Sequence, residues 1–251
     1  MAIFKKDAVA TTPNETALAQ VPEFLQQYVG KGLEHITKQD IIMPRLALAQ
    51  GLSPQISPDD PTFIDGLKLG DAFNTVSKQI YGRGPWDVVI IRADPPRWIE
   101  FFPRDAGGGV KDMNVPRNDP RTAFTTGPNG ESVPPLATQF YDFVMVFLES
   151  REVIGVSFKS TGLKVARGLN TVLRFRMQER KIPLVMIKLT ARAFMDKNSK
   201  GTFANLRFEL NGDVTDIETL KFLQNAYEAI KDKELNLERE PGADDDIPAG
   251  M

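Results

Sequence analysis

The chain has 251 residues, and its 41% hydrophobic and 25% charged content is typical of a soluble globular protein rather than of a disordered one. The lack of cysteine excludes disulfides, zinc ribbons and thiol nucleophiles, and it fits a reducing cytoplasm. The formal net charge is −2, and neither a signal peptide nor an apolar run of membrane-spanning length is recognisable, so we expect a soluble intracellular protein.

The first 82 residues predict little regular structure. Residues 1–20 are expected to be a flexible N-terminus, and the apolar spacing of residues 21–36 predicts a short helix. Residues 41–82 alternate short apolar runs with proline turns. This pattern predicts strands and loops that end in a hairpin around residues 73–81.

Two apolar runs then predict consecutive strands. WDVVIIRA at 86–93 and RWIEFFP at 97–103 are separated by Asp94-Pro95-Pro96, which we interpret as a turn because proline fixes φ and removes a ladder donor. The Pro- and Gly-rich residues 104–138 predict a long loop excursion. A clasp over a ligand, a subunit contact and a passive loop are all compatible with its sequence.

The pattern is more regular in the middle of the chain. Runs of β-branched and aromatic residues at 139–150 and 152–160 predict a hairpin. Residues 161–181 change to a helical period. At about 100° per residue, the packing side of this helix is expected to carry Leu163, Ala166, Leu169, Leu173 and Met177.

The C-terminal part predicts two more strands and a second helix. The strands cover residues 183–194 and 201–210. The helix covers residues 216–231, with Thr215 and Glu218 spaced as a capping box. Its expected buried stripe is Ile217, Leu220, Leu223, Tyr227 and Ile230. Residues 232–251 are the expected acidic, flexible tail.

The order of these elements predicts the fold class. Four strands, a helix, two strands and a helix indicate a mainly β protein with flanking helices, of the α+β class. A helix between the third and fourth core strands of a small antiparallel barrel is the order of the oligonucleotide-binding barrel, or OB-fold. We therefore expect residues 21–231 to form one elaborated OB-like barrel domain with a helix between core strands and a C-terminal helix.

Enzymatic functions find little support in the sequence. The single histidine, His35, has no carboxylate pair nearby, and AGGGVK at 106–111 lacks the Gly-Lys-Ser/Thr ending of a phosphate loop. The acidic run of Asp244, Asp245 and Asp246 lacks the glycine turn and the spaced glutamate of a calcium loop. We expect no enzyme activity, no metal and no cofactor.

The charge is distributed unevenly along the chain. Residues 151–200 contain twelve basic and three acidic residues, a net charge of +9. Residues 211–251 contain four basic and eleven acidic residues, a net charge of −7. A basic body with an acidic tail is typical of proteins that bind a polyanion, since the body attracts phosphates and the tail competes for the same surface.

Aromatic residues are interleaved with these cations. Single-stranded nucleic acid is bound by cations that follow its phosphates and by rings that stack on its bases. The predicted phosphate contacts are Lys159, Lys164, Arg167, Arg174, Arg176, Arg180, Lys188 and Arg192. The predicted stacking residues are Trp98, Tyr141, Phe158 and Phe194. Because most of the phenylalanines alternate within strands, more of them should be core than stacking surface, and Trp98 is the first choice.

The tail carries a resemblance to a known family. Asp244-Asp245-Asp246-Ile247-Pro248 resembles the acidic C-terminal tip of bacterial single-stranded DNA-binding proteins, in which an Asp run, Ile and Pro precede a terminal Phe. The resemblance implies that the tail docks on replication or recombination partners. Ala249-Gly250-Met251 replaces the Phe, so a partner would read this tail differently.

A second resemblance covers most of the body. The segments MPRLALAQGLSPQ (43–55), GDAFNTVSKQIYG (70–82), WIEFFPRDAGGG (98–109) and STGLKVARGLN (160–170) are similar to phage-encoded proteins that bind single strands during replication. This resemblance implies a non-enzymatic protein of the host bacterial cytoplasm that binds single-stranded DNA without strong sequence preference. A phage single-strand annealing recombinase and a virion or assembly protein are the alternatives. The preference for DNA over RNA, the site size and the oligomeric state are open.

Overall fold

The computed structural model describes residues 42–103, 108–199 and 201–232, together with Phe24, Lys31, Gly32 and His35. The chain divides into two compact units, Met1–Ile41 and Ile42–Met251. Of the helix predicted at 21–36, only those four residues are described, and Phe24 is helical and exposed. The predicted flexible N-terminus and almost all of the acidic tail lie outside the described residues.

The second unit is built mainly of strands. Within the described residues they are β1 (Leu46–Leu48), β2 (Ala72–Asn74), β3 (Ile80–Gly82), β4 (Trp86–Ala93), β5 (Arg97–Phe101), β6 (Val110–Asp112), β7 (Thr125–Thr126), β8 (Ser132–Val133), β9 (Ala137–Phe147), β10 (Val153–Phe158), β11 (Ile187–Asn198) and β12 (Gly201–Asp213). The helices are α1 (Leu163–Arg180) and α2 (Ile217–Ile230). The predicted hairpins at β2–β3 and β9–β10 are confirmed, and the two strands predicted near the C-terminus pair with each other as β11 and β12.

Strands β4 and β5 do not form a hairpin but run in the same direction along β9. Val88 pairs with Phe147 at the start of β4, and Glu100 pairs with Ala137 at the end of β5. The predicted turn at Asp94-Pro95-Pro96 is therefore wrong. The two prolines, which cannot donate to a ladder, occupy a bulge within one long antiparallel strand.

The central sheet has the order β12-β11-β4-β9, and β9 also pairs with β10 and β5. If the bulged strand β4–β5 is counted once, the sheet has five core strands among the described residues. In chain order these are β4–β5, β9, β10, β11 and β12, and α1 joins the third strand, β10, to the fourth, β11. The mainly β, α+β prediction is confirmed. A closed barrel was expected and is not observed, because within the described residues the outermost strands β10 and β12 do not pair with each other.

The segment of residues 44–50 contacts both outermost strands. Gly155 N of β10 donates to Pro44 O over 2.8 Å. The Gln50 side chain donates to Ala204 O of β12 over 3.0 Å and accepts from Ala204 N over 2.8 Å. If β10 and β12 paired directly, their backbone groups would bond each other. Here the bonds to residues 44–50 satisfy those groups instead.

The central strands are buried on both faces, which explains their continuous apolar runs. On one face, Val88, Phe143 and Leu189 form a core with Leu169 of α1, and we name this side the inner face. On the opposite side, the outer face, Val89, Val144 and Val146 form a core with Leu223 of α2. Burying one such side chain contributes roughly 1.5–3 kcal/mol, so the packing of both helices stabilises the central sheet.

The two helices follow the predicted periods with fewer buried positions. In α1, Ala166, Leu169 and Leu173 are buried, Leu163 is half-buried and Met177 is exposed. In α2, Leu223 and Ile230 are buried, Leu220 is half-buried, and Ile217 and Tyr227 are exposed. The exposed members of the two stripes, Met177 of α1 and Ile217 and Tyr227 of α2, therefore contribute less to the core than the helical period predicts.

The N-terminus of α2 is capped one residue later than predicted. Asp216 is the cap, and its Oδ2 accepts from Thr219 N over 2.8 Å. Hydrogen bonds from the Thr219 side chain and backbone hold the pKa of Asp216 below its usual value. The predicted capping box of Thr215 and Glu218 is therefore wrong, because Asp216 already accepts from the third amide of the helix.

The excursion of residues 104–138 is partly structured. Arg121 donates to Glu100 Oε2 on β5 over 2.6 Å and to Asp119 Oδ2 over 2.9 Å. Lys111, in β6, donates to the other oxygen of Glu100 over 2.6 Å. Since Glu100 is only 5% exposed, these charge-assisted bonds fasten the excursion to the central sheet.

Candidate nucleic-acid interface

Helix α1 presents one continuous solvent-facing side. Its packing side carries the buried residues Ala166, Leu169 and Leu173. Helical geometry puts residues nine positions apart on opposite sides, so Phe175 lies opposite Ala166. Lys164, Gly168 and Thr171 share the Phe175 side and are all exposed.

Three cations follow this side of α1. Lys164, Arg167 and Arg174 are exposed, and none forms a salt bridge with a carboxylate in the described part of the chain. They span ten residues, or about 15 Å along the helix axis. We name them the α1 cation row. A row of this kind supplies uncompensated positive charge at a spacing that suits consecutive phosphates.

Arg180, the fourth cation predicted on α1, is exposed but lies outside the row. Sixteen positions after Lys164, it lies closer to the packing side than to the cation row, beyond the end of the core. Lys159, at the end of β10, is half-buried. The structure therefore brings together part of the predicted phosphate set, not all of it.

The other predicted phosphate contacts hold carboxylates of the protein itself. Arg176 makes two bonds of 3.0 Å to Asp213 at the end of β12. On β11, Lys188 lies 3.6 Å from Asp87, and Arg192 lies 2.9 Å from Glu209. The Arg192 pair is half exposed and is worth little to stability, whereas the more buried Arg176 joins α1 to β12.

Phe158 was predicted to stack on bases, and the structure contradicts this. It is 4% exposed, with its ring edge-on to Phe143 at 5.7 Å and to Phe208 at 6.1 Å. Alternation along β10 puts it on the inner face, where α1 and β12 cover it. Its ring is part of the core and offers no free face to a base.

Phe194 is half-buried on the opposite side of β11 from the inner core. The Arg207 guanidinium lies 4.8 Å from its ring centroid, as a cation–π pair. Alanines at positions 191 and 193 face the inner core, so alternation directs Phe194 away from α1. Phe194 is thus remote from the α1 cation row and already has one ring face occupied.

Trp98 and Tyr141 lie on the same face of the sheet as α1. Trp98 pairs across the strands with Gln139, and Tyr141 follows Gln139 by two residues, so all three share the inner face. Trp98 and Tyr141 are half-buried. Arg167 Nη2 donates to Gln139 Oε1 over 3.1 Å, which brings the cation row to this pair of aromatic residues.

The indole nitrogen of Trp98 is in an unusual state. Its Nε1 is buried and has no hydrogen-bond partner in the described part of the chain, although most buried donors are paired. The rest of the ring is partly exposed. Trp98 therefore combines an accessible aromatic surface with a donor that the protein leaves unsatisfied.

Phe175 was not among the predicted stacking residues, yet it is 66% exposed in the middle of α1. It lies beside the cation row, between Arg174 and Arg176, whose salt bridge with Asp213 is half-buried. The sequence signal that could have found it is the helical period, which separates it from Leu169 and Leu173. A large exposed aromatic ring among arginines is a typical single-strand contact.

An open cleft of about 870 Å³ lies elsewhere, beside β3 and β4. Tyr81, Trp86 and Phe147 line it, and its carboxylates come from Asp87 and Glu149. Burial raises the pKa of Tyr81, so the tyrosine stays neutral. Because its charged lining residues are carboxylates, this cleft is less favourable for phosphate than the α1 cation row.

The described residues contain no helix that is both long and apolar enough to cross a membrane. Within the same residues, no group of three or more histidine, aspartate or glutamate side chains is arranged to hold a metal ion. A family model described as Pam3 phage gp34-like protein matches residues 13–236. The chain belongs to this family.

Membership of the Pam3 phage gp34-like family puts the chain in a bacteriophage context. The matched range includes every described strand and helix and ends before the Asp244 to Asp246 run. No curated protein and no solved structure matches the chain.

Proposed function

We propose that this protein binds single-stranded DNA without strong sequence preference during phage DNA replication or recombination. The observation that carries the proposal is the α1 cation row: Lys164, Arg167 and Arg174 are exposed and have no salt-bridge partner in the described part of the chain. Surface cations without carboxylates have little role in folding and are free to release counterions on binding a polyanion.

The aromatic residues near the row favour single strands over duplex. Trp98 and Tyr141 lie on the inner face beside Gln139, which Arg167 contacts. A base stacks on a protein ring only when it is unstacked from its own neighbours, as in a single strand. Stacking adds affinity regardless of base identity, so weak sequence preference follows.

The strand order also supports the proposal, although it does not locate the site. Five core strands with a helix between the third and fourth agree with a partly open OB-like sheet. In OB-folds the oligonucleotide lies on the face of the second and third strands. Here Val144 and Val146 on that outer face are fully buried against α2, so we assign binding to the α1 side.

The acidic tail is proposed to regulate this binding. Its residues, including Asp244, Asp245, Asp246, Ile247 and Pro248, lie outside the described part of the chain, and the proposal rests on charge alone. The tail would cover the cation row when DNA is absent, and DNA would release it to replication or recombination partners.

Titration of fluorescent oligo-dT, the matching duplex and oligo-U, followed by anisotropy at several salt concentrations, tests the proposal. We expect clear preference for oligo-dT over duplex and a log-linear salt dependence. The oligo-U arm measures how far RNA competes. Binding of neither nucleic acid would overturn the proposal and favour a virion or assembly role. Rapid annealing of complementary strands would favour the annealing recombinase instead.

A matched pair of triple variants tests the location. Lys164→Ala/Arg167→Ala/Arg174→Ala should lower the salt slope by up to about 2, since each single-strand phosphate contact contributes roughly 0.7. The control Lys68→Ala/Arg117→Ala/Lys221→Ala removes the same charge from exposed positions elsewhere and should leave the slope nearly unchanged. Equal effects of the two variants would remove α1 as the site.

A further inference from the structure

Two residue choices on the solvent-facing side of α1 have no explanation in the fold. Gly168 lies in the interior of the helix, where glycine is the least favourable residue after proline. Among the described residues, a Cβ atom built at Gly168 meets no atom within 4 Å, so no described neighbour requires glycine there. Its φ is also ordinary for any residue, because it is not among the positive-φ glycines.

Phe175, two turns further along, is the second unexplained choice. It is 66% exposed, and no ring contact or cation–π pair covers it within the described residues. Side chains of a helix lean towards its N-terminus, so the Phe175 ring leans over Thr171 and towards Gly168. The exposed ring and the bare backbone therefore adjoin on one surface, which the α1 cation row borders.

We propose that Phe175 stacks on a base of the bound strand and that Gly168 lets the same strand approach the helix backbone closely. This inference rests on the proposed function and specifies the register of DNA on α1. Phosphates would lie along Arg167 and Arg174, and the neighbouring base would cover Phe175. Glycine is favoured where a ligand approaches the backbone, because any side chain would hold the ligand away.

Single-stranded nucleic acid is a better occupant of this surface than a protein groove-binder. The surface is bordered by three uncompensated cations, and its apolar part is a single large ring with Val172 beside it. Protein interfaces instead bury roughly 800 Å² per partner and are depleted in charge at their centre. The chemistry of this surface fits a phosphate backbone with an unstacked base.

The first test replaces the ring. Phe175→Ala should weaken oligo-dT binding about tenfold, equivalent to ~1.4 kcal/mol, while the salt slope stays close to that of wild type. Phe175→Leu keeps the apolar character but not the aromatic face, and should recover only part of the loss. Unchanged affinity in Phe175→Ala would overturn the inference and leave the proposed function standing if wild type binds.

The second test makes stacking visible. In Phe175→Trp, oligo-dT should quench tryptophan fluorescence beyond the change seen in wild type, which contains only Trp86 and Trp98. Phe124→Trp is the matched control, because Phe124 is 71% exposed within the excursion and far along the chain from α1. Equal quenching in the two variants, or none in Phe175→Trp, would contradict stacking at this position.

The third test separates binding from folding at Gly168. Gly168→Ala should raise the midpoint of thermal unfolding by about 2–4 °C, because alanine favours the helix and meets open space. The same variant should bind oligo-dT several-fold more weakly. A stabilised variant with wild-type affinity would show that the DNA strand does not approach the helix backbone closely at Gly168. Failure of wild type itself to bind oligo-dT would instead remove the proposed function.

Discussion

The Arg167 guanidinium donates to Oε1 of Gln139 over 3.1 Å and so connects the solvent-facing side of α1 to strand β9. Gln139 is the cross-strand partner of Trp98. The bond holds a long, otherwise free cation next to the aromatic pair of Trp98 and Tyr141. Orienting Arg167 in advance lowers the side-chain entropy that DNA binding would cost, which is a form of preorganisation.

We expect Gln139→Ala to weaken oligo-dT binding by a smaller factor than Arg167→Ala does. Losing the orienting bond costs about 0.5–1.5 kcal/mol of ordering, roughly two- to tenfold in affinity, whereas the charge remains. Anisotropy titration at several salt concentrations checks this. The salt slope should fall in Arg167→Ala but not in Gln139→Ala, and equal slopes would indicate that Arg167 does not contact phosphate.

Phe158 gives a second prediction, since the structure makes it a core residue. Phe158→Ala should destabilise the protein by about 3–5 kcal/mol, because it leaves a cavity between Phe143 and Phe208. Urea unfolding followed by circular dichroism measures the change. Phe158→Leu should remain folded and bind oligo-dT as wild type does. A specific loss of binding in folded Phe158→Leu would return this residue to the interface.

The strands and helices could be predicted because each is buried along one or two whole faces. Val88 to Ile91 form an unbroken apolar run, which is typical of a strand that is buried on both faces. Helix α1 shows a clear 3.6-residue period for the same reason. The prediction failed at Asp94-Pro95-Pro96, where two prolines mark either a turn or a bulge and only the pairing with β9 distinguishes them.

The candidate site was harder to predict, because exposure depends on neighbours distant in sequence. Phe158 and Phe194 both alternate with apolar residues, yet one packs on Phe208 and the other lies on the outer face of β11. Similarly, the partner of Arg176 is Asp213, at the far end of β12. Lys164, Arg167 and Arg174 were predictable because the helical period alone fixes which way they face.

Arg121 yields a third prediction about the excursion. It bonds Glu100, Asp112 and Asp119, so Arg121→Ala should release the excursion from β5 while the central sheet stays folded. Limited trypsin digestion should cut the variant faster within residues 108–136 than wild type. Arg117→Ala, an exposed neighbour that likewise removes one trypsin site, is the control. Equal digestion of the two variants would mean that other contacts hold the excursion.

The same network predicts a pH dependence. Hydrogen bonds from the Arg121 side chain and backbone lower the pKa of Asp119 to about 2, against about 3.9 in an unfolded chain. A carboxyl with a lowered folded pKa stabilises the protein above the unfolded pKa, and that stabilisation is lost as pH falls through the folded value. Wild type should therefore melt higher than Asp119→Asn at pH 6. The difference should shrink below about pH 4 and vanish near pH 2, and a pH-independent difference would contradict the assignment.

The acidic tail gives a prediction about DNA affinity. Deleting residues 240–251 removes four of the tail's carboxylates, so affinity for oligo-dT should rise several-fold at low salt. The gain should fade as salt increases, since screening weakens competition between tail and DNA. A deletion that leaves affinity unchanged or weaker at low salt would end the idea that the tail covers the cation row.

Trp98 provides the last prediction, which separates its ring from its unsatisfied donor. Trp98→Phe removes the buried Nε1 that lacks a partner and keeps an aromatic ring, so stability should be unchanged or slightly higher. If the ring stacks on DNA, Trp98→Phe should retain most of the affinity for oligo-dT. Trp98→Ala should lower that affinity about five- to tenfold, which is the low end of the range for a stacked base because the ring is half-buried. Fluorescence gives an independent check, because quenching by oligo-dT should disappear in Trp98→Phe and persist in Trp86→Phe. Quenching that follows Trp86 instead would place the strand beside the acidic cleft of β3 and β4, and away from α1.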